Sequence, residues 1–478
     1  MKRRRFLSIS SQSALALPVA MTPLKYAFAK PDEWQRVLSG AASKFSKTLR
    51  VLYPKGCLAN LQPVIKEFTA ASGVQVVPQE TDLDTIAETM SRSTFLDGSK
   101  SSFDIALPPT FSIPNLVDAG VVRALDDLSN KYKKLSQFPS LYTLGDAYDD
   151  KLYGYQTDGD VYLLFLRRSW LENPDHQKQY QDKFGRKLEV PRTWEELDRQ
   201  MAFFHDPNNG RYGGCLFRHK DYAHWEYWIR LHGQGVYPFD NQLNPQISKP
   251  AGLNALDQLK KATPYLHPSV TKNGLFENFE EYAKGHSYAN LGWGGSQKYF
   301  RSPKSKIKND LIIVKPPGGR FGSRDISMSY FNWGWNYVVH SKSQNPELAY
   351  LFCLFATSPK ISKLAVAENG YFDPFRLEHF DHKPIVDAYG KDFLDTQKAA
   401  LAGAIPDLYL KGQGHYLYAL KQAIHLTVSR HVSAAAAMKS ADNKWLQLSK
   451  KVGVDYQLKQ WHHLQSKYPP ELRKVLKG

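Results

Sequence analysis

The stretch Tyr153-Gly-Tyr-Gln-Thr-Asp-Gly-Asp-Val-Tyr-Leu-Leu-Phe-Leu-Arg-Arg-Ser-Trp170 decides how this chain is read. It opens on aromatics, passes a small polar turn holding Asp158 and Asp160, and continues as a nearly unbroken apolar run from Val161 to Leu166. A run of that length reads as a strand buried on both faces. Aromatic surface and carboxylate acceptors at the mouth of a buried strand suit a cleft for a polyhydroxylated ligand.

Upstream, residues 48–54 read as a first strand. Asn60 to Ser72 carries Leu61, Val64, Ile65, Phe68 and Ala71 at helical spacing, and Gly73 stops it. Residues 74–78 form a second strand, a helix runs from near Asp82 to Phe95, and Phe103 to Leu107 is a third strand ending at Pro108-Pro109. Strands alternating with helices imply parallel pairing with right-handed crossovers. Ligands in such sheets sit beyond the carboxyl ends of strands, where Pro108 to Phe111 falls. Downstream, Thr193 and Glu196 form a capping box, Tyr222 to Gly233 is an aromatic helix, and Tyr330 to His340 is a strand dense in aromatics. The tail from about Lys398 is helical. A mature chain of about 450 residues exceeds one typical core, so two lobes are expected.

Residues 1–29 read as an export signal: Lys2 to Arg5 form a basic start, Ala14 to Ala20 a modest apolar run, and Ala27-Phe-Ala29 a cleavage site. Arg3-Arg4-Arg5-Phe6-Leu7 is similar to the twin-arginine pattern, with an ordinary secretory signal as the other route. No cysteine sits at the cleavage site for a lipid anchor, and no later apolar run approaches the ~20 residues of a membrane helix. The expectation is a soluble periplasmic protein. Losing the signal's five basic residues takes the formal charge from +17 to +12. The remaining basic residues are scattered, as on a solvated surface; steering of an anionic ligand, such as an anionic sugar, is the functional alternative. Nucleic acid is not an expected partner. Cys57, Cys215 and Cys353 have no zinc or redox spacing.

In order along the chain, several pieces resemble the family 1 extracellular solute-binding proteins of bacterial ABC transporters, the sugar-binding type. They are Phe68-Thr-Ala-Ala-Ser-Gly-Val-Gln-Val76, Phe103-Asp-Ile105, Ile113-Pro-Asn-Leu-Val-Asp-Ala-Gly120, Ala124-Leu-Asp-Asp127, the crossing stretch, and Pro191-Arg-Thr-Trp-Glu-Glu196. Asn345-Pro-Glu-Leu-Ala349 with Ser358-Pro359 and Gly370-Tyr-Phe-Asp-Pro-Phe-Arg376 complete the series. The resemblance implies an α/β, two-lobed periplasmic-binding-protein type II fold with hinge strands and a ligand cleft between lobes. By that analogy residues 48–158 plus 335–395 form the N-terminal lobe, and 162–330 plus 396–478 the C-terminal lobe. It also implies a monomer that closes on a carbohydrate (sugar, oligosaccharide or polyol) and is recognised by an ABC permease in the inner membrane.

A sugar binder pairs aromatic plates with charged or amide hydrogen bonds. The candidates are Phe111 after the third strand, Asp158 and Asp160 at the crossing, Trp225 and Trp228 on the aromatic helix, and Trp293 in a glycine-flanked turn. Tyr330, Trp333 and Trp335 on the return crossing, with Phe372 and Arg376, complete the set. Each has a structural alternative. Strand alternation puts Phe331, Trp333 and Trp335 on one face and Tyr330, Asn332 and Asn336 on the other, so one set belongs to the core. Trp225, Trp228 and Ile229 share a helix face, the pattern of a core stripe. Asp158 can cap the turn through Gly159, and Arg376 can pair with a structural acid. Two plates and two charged contacts cover the ~8 kcal/mol of micromolar binding, so no metal and no cofactor is called for. No Gly-x-Ser-x-Gly, His-Glu-x-x-His or phosphate loop is present, and a binding protein rather than an enzyme is expected. The rivals are a carbohydrate-cleaving enzyme using Asp158 and Asp160 as acid and base, and a binding module for a sensor.

Overall fold

In the computed structural model, residues 31–42, 48–96, 102–135, 140–429 and 432–478 are described. The export signal expected over residues 1–29 lies outside them. Nine strands build two main sheets: β1 (Thr48–Pro54), β2 (Gln75–Thr81), β3 (Ile105–Ala106), β4 (Gly154–Gln156), β5 (Leu163–Arg167), β6 (Tyr212–Cys215), β7 (Ser287–Gly292), β8 (Leu311–Val314) and β9 (Asn336–Val339). The first sheet has the order β2-β1-β3-β9-β4 and the second β8-β5-β7-β6.

The first sheet begins as the sequence pattern requires. Helix Leu58–Ser72 buries Leu61, Val64 and Phe68, and Gly73 ends it with φ +72°, its N–H bonding to Thr69 O. The chain then returns as β2, parallel to β1 along seven residues. Strand β3 is only two residues long, but the flanking Asp104 and Leu107 N–H groups still bond to Arg50 O and Leu52 O. Strand β9 enters antiparallel beside β3 and carries β4 on its outer side. In the second sheet β5 lies between β8 and β7, antiparallel to both. Leu163 to Leu166 are fully enclosed, which is why this strand reads as a continuous apolar run.

The sheets are joined where the chain crosses. The outgoing segment follows β4 through Thr157 to Tyr162, and the returning segment is Phe331 to Trp335. They pair with each other: Val161 bridges Phe331, Tyr162 N–H bonds to Tyr330 O at 2.9 Å, and Thr157 N–H to Trp335 O at 2.9 Å. Ser329–Tyr330 also pairs in parallel with Ala404–Ile405, adding a third chain segment to the junction.

One expectation about the return crossing is corrected. The stretch from Tyr330 to His340 is not a continuous strand; regular pairing stops after Tyr330 and resumes at Asn336. Trp333 adopts φ +149° and Gly334 φ +61°, so the simple alternation of faces fails between them. The kink turns both Trp333 O and Gly334 O toward the Thr110 N–H, each at 3.1 Å. A Cβ on Gly334 would lie 2.7 Å from the Phe331 ring, 2.9 Å from Gln156 Nε2 and 2.9 Å from Thr110 Oγ1.

Gly334→Ala is therefore expected to destabilise the protein by about 2–5 kcal/mol, combining left-handed strain and overpacking. Gly73→Ala, with similar φ but open space around it, is expected to cost about 1–2 kcal/mol. Urea unfolding of the two variants side by side checks this; equal midpoints would remove the packing component.

Candidate functional site

The polar turn of the crossing is buried beneath the junction between the sheets. Asp158 and Asp160 point toward Asp373, from the loop 370–376, and oxygen atoms of the three carboxyls lie within 4.8 Å of one another. Asp158 Oδ1 accepts from the Asp373 N–H at 2.5 Å, while its Oδ2 receives no N–H among the described residues. Asp373 accepts from the Gly295 N–H at 3.2 Å and from the Tyr389 hydroxyl at 2.8 Å. Asp160 Oδ2 accepts from the Gly334 N–H at 3.2 Å. Burial holds all three carboxyls above the usual carboxylate range, and the negative charge of their neighbours raises Asp158 and Asp160 further. Lys298 opposes this for Asp158 and Asp373; its Nζ donates to Glu368 O at 3.0 Å. A divalent cation would find three carboxyl ligands here, with this lysine charge against it.

Asp160 opens onto a cavity of about 190 Å³ between the two sheets. Its walls include Trp333 and Trp335 from the return crossing, Trp293 after β7, Phe279, Tyr299 and Tyr371. The rings stand at steep angles: 74° between Trp333 and Trp335, and 77° between Phe279 and Trp293. At the mouth, Phe276 stacks on Tyr371 with centroids 5.1 Å apart. The Trp293 indole N–H donates to Asn332 Oδ1 at 3.0 Å, and the Ser296 hydroxyl donates to Trp293 O at 2.6 Å.

Trp333 is also a wall of a second cavity, of about 330 Å³, with Phe111, Trp225, Tyr222, Asp407 and Lys421. The Trp333 ring meets Phe111 edge-on at 5.3 Å and Trp225 at 5.7 Å. The Tyr222 hydroxyl reaches both oxygens of Asp84, beyond the end of β2, at 3.3 Å, so this chamber too is bounded by both halves of the molecule. Burial pushes Asp407 up to about 6 and His224 well below the usual imidazole value.

The structure thus places Asp160, Trp293, Trp333 and Trp335 on the first cavity and Phe111, Trp225 and Trp333 on the second. Five candidates line neither cavity. Trp228 is buried with its indole N–H on Pro406 O at 3.2 Å. Tyr330 is enclosed beside Asp407, and Phe372 packs edge-on to Tyr337. Arg376 is buried near Asp146 and Phe375, and burial lowers it to about 10. Asp158 is sealed beneath Asp160. Asp373 and Tyr371 were not among the candidates, although both stand in the quoted stretch Gly370 to Arg376. The signal that could have found Asp373 is an acid flanked by aromatics and proline, like the crossing turn itself.

The sequence profile of the family described as bacterial extracellular solute-binding protein matches residues 64–390. No curated protein matches the chain significantly. Among solved structures, a maltose-bound MalE3 of T. maritima superposes with a TM-score of 0.69 at 16% identity, covering 84% of this chain and 99% of that one. A solute-binding protein of Agrobacterium radiobacter K84 in complex with ribitol gives 0.70 at 17% identity, covering 84% and 98%. One from Agrobacterium vitis S4 with bound D-mannitol gives 0.66 at 19%, covering 85% and 99%. These likenesses establish the two-lobed α/β fold.

The carboxyl cluster has a consequence for stability. Raised folded-state pKa values mean that the native state holds protons the unfolded chain has released, so stability is lost as pH rises above the unfolded value of about 3.9. Asp158→Asn keeps the acceptor for the Asp373 N–H and sets an N–H donor against the other two carboxyls. The variant is expected to melt higher than the parent at pH 8, with the gain shrinking as pH falls toward 4. Thermal unfolding across that range checks it; a gain that grows toward acid would refute the sign.

Proposed function

The chain belongs to the bacterial extracellular solute-binding proteins, and on that premise we propose that it captures a carbohydrate or polyol for an ABC importer. The observation that carries this reading is the ring-walled cavity between the sheets, with the Asp160 carboxylate at its floor. Stacked aromatic faces cover the weakly apolar faces of a sugar ring, and a buried carboxylate accepts from its hydroxyls. Neighbours of the same fold hold maltose, ribitol and D-mannitol, which supports the ligand class.

On this reading the lobes are residues 48–158 plus 335–395 and 162–330 plus 396–478, hinged at the paired crossings. Ligand seated between Trp293 on one side and Tyr371 on the other favours the closed form by contacting both sides at once. The Tyr222–Asp84 and Phe276–Tyr371 contacts then latch the mouth. The closed monomer is what an inner-membrane permease recognises. Export through the amino-terminal signal places it in the periplasm, and no helix among the described residues is long and apolar enough to cross a membrane. The ligand is handed on unaltered. Two carboxyls that cleave a glycosidic bond must flank it about 5–9.5 Å apart, whereas Asp158 lies sealed on the same side as Asp160, within the 4.8 Å cluster.

A thermal-shift screen of sugars and polyols tests the ligand class, since a ligand at 100 times its Kd stabilises by about 2.7 kcal/mol. A hit confined to amino acids would overturn it. With a hit in hand, Trp293→Ala and Trp333→Ala are each expected to weaken binding at least roughly tenfold, about 1.4 kcal/mol, by isothermal titration. Trp228→Phe is expected to lower the melting temperature instead, leaving Kd within about twofold.

A further inference from the structure

The chemistry of the 190 Å³ cavity is one-sided. The charged residues among those lining it are Asp160 and Glu280, both acids; no Lys, Arg, His, Asn or Gln is among the lining residues described. Three of its donors are committed. The Trp293 indole N–H is on Asn332, the Gly295 N–H is on Asp373, and the Ser296 hydroxyl is on Trp293 O. The lining therefore gives a visitor aromatic faces, the hydroxyls of Tyr299 and Tyr371, and the carboxyls of Asp160 and Glu280, with no cationic side chain among the described residues. A neutral sugar needs donors as well as acceptors around each hydroxyl, and a uronate needs a cation. An ammonium group needs only acceptors and π faces, and rings at steep angles around an acid are how proteins hold such cations.

The cluster behind the floor points the same way. Asp160 is 8% exposed, and its one N–H partner among the described residues is Gly334. Asp158 beneath it is fully enclosed, and its Oδ2 receives no N–H among the described residues. Lys298 is the lysine acting on these acids, and its Nζ is held by Glu368 O. Three buried carboxyls against one lysine leave negative charge that a proton or an incoming cation must balance. The overall surplus of +12 sits on scattered surface residues, screened beyond about 8 Å at physiological salt, so the contact charges of the cavity decide selectivity.

We infer that this cavity receives an organic ammonium group, and that the captured solute is an amino-bearing saccharide whose amine docks on Asp160 inside the ring-walled box. The saccharide part rests on the proposed carbohydrate reading; the ammonium part rests on the cavity alone.

Isothermal titration of the mature chain at pH 7 and fixed ionic strength, with one set of probes, tests both. The probes are glucosamine and galactosamine, their neutral parents glucose and galactose, the corresponding uronates, and choline. The amino sugars are expected to bind at least roughly tenfold tighter than their parents, with the uronates weakest. Asp160→Asn is expected to abolish the preference, bringing amino and neutral sugars within about threefold of each other. Glu280→Gln, on the exposed rim, provides a second variant that does not disturb the buried cluster, and is expected to cut the preference about threefold. Neutral sugars bound as tightly as amino sugars would overturn the ammonium inference while leaving carbohydrate capture standing. Choline bound with no sugar bound would uphold the ammonium site and overturn carbohydrate capture. A uronate preference, a preference unchanged in both variants, or silence from every probe would overturn the inference.

Discussion

Three carboxyl groups packed within 4.8 Å of one another, away from water, are the constraint around which the cleft is organised. Such a cluster is tolerated only if protons, a counter-charge and directed N–H groups share the burden. Lys298 supplies charge, the Asp373, Gly295 and Gly334 N–H groups supply hydrogen bonds, and the raised carboxyl pKa values supply protons. The backbones must approach closely for this. A Cβ on Gly159 would lie 2.0 Å from Pro374 O, and one on Gly294 would lie 2.4 Å from the Asp373 carboxyl. The outgoing crossing, the loop 370–376 and the start of helix Gly294–Phe300 are thereby tied into one unit. Asp160 is the member of the cluster that this unit presents to the cavity.

Trp333 is the second organising element. Its unusual backbone is held by the Thr110 N–H and by the adjoining Gly334, and its ring divides the cleft into two chambers. Strained conformations of this kind persist where surrounding structure over-determines them. Trp225, which meets Trp333 edge-on, is fixed in turn by helix Ala223–Gly233. That helix is anchored by a buried ionic chain in which Arg218 and Arg230 both grip Glu226 and Arg230 continues to Asp198. Burial alone would raise Glu226, but the two guanidiniums outweigh it and hold it below the usual value. Arg230 also lies over the Trp194 ring at 4.2 Å. Packed aromatics resting on a satisfied ionic network form a rigid platform, the condition under which a small cavity can discriminate among ligands.

Much of the fold was legible in local patterns. The apolar spacing of Leu61, Val64 and Phe68, the Gly73 stop and the Thr193 cap follow from short-range chemistry and stand where the pattern put them, while the enclosed strand expected from Val161 begins at Leu163. The site was legible only in part. Trp225 and Trp228 share a helix face in sequence, yet one borders a chamber and the other is core, because that helix is surrounded on all sides. Alternation misread the return crossing because period two holds only for regular strand, and the kink at Trp333 and Gly334 breaks it.

The sequence by itself determined the alternation of strands and helices in the first part of the chain, the enclosed strand after the crossing turn and the chemical palette of aromatics and acids, because helix and strand periods, caps and apolar runs act over a few residues. Tertiary structure alone decided which members of that palette meet. Asp373 joins Asp158 and Asp160 across more than two hundred residues, while Arg376, three residues further on, is buried and lines neither cavity. Burial, not residue type, separates the acid that faces the cavity from the one sealed beneath it. Enclosure and charge neutralisation are properties of converging chain segments, and no single segment carries them.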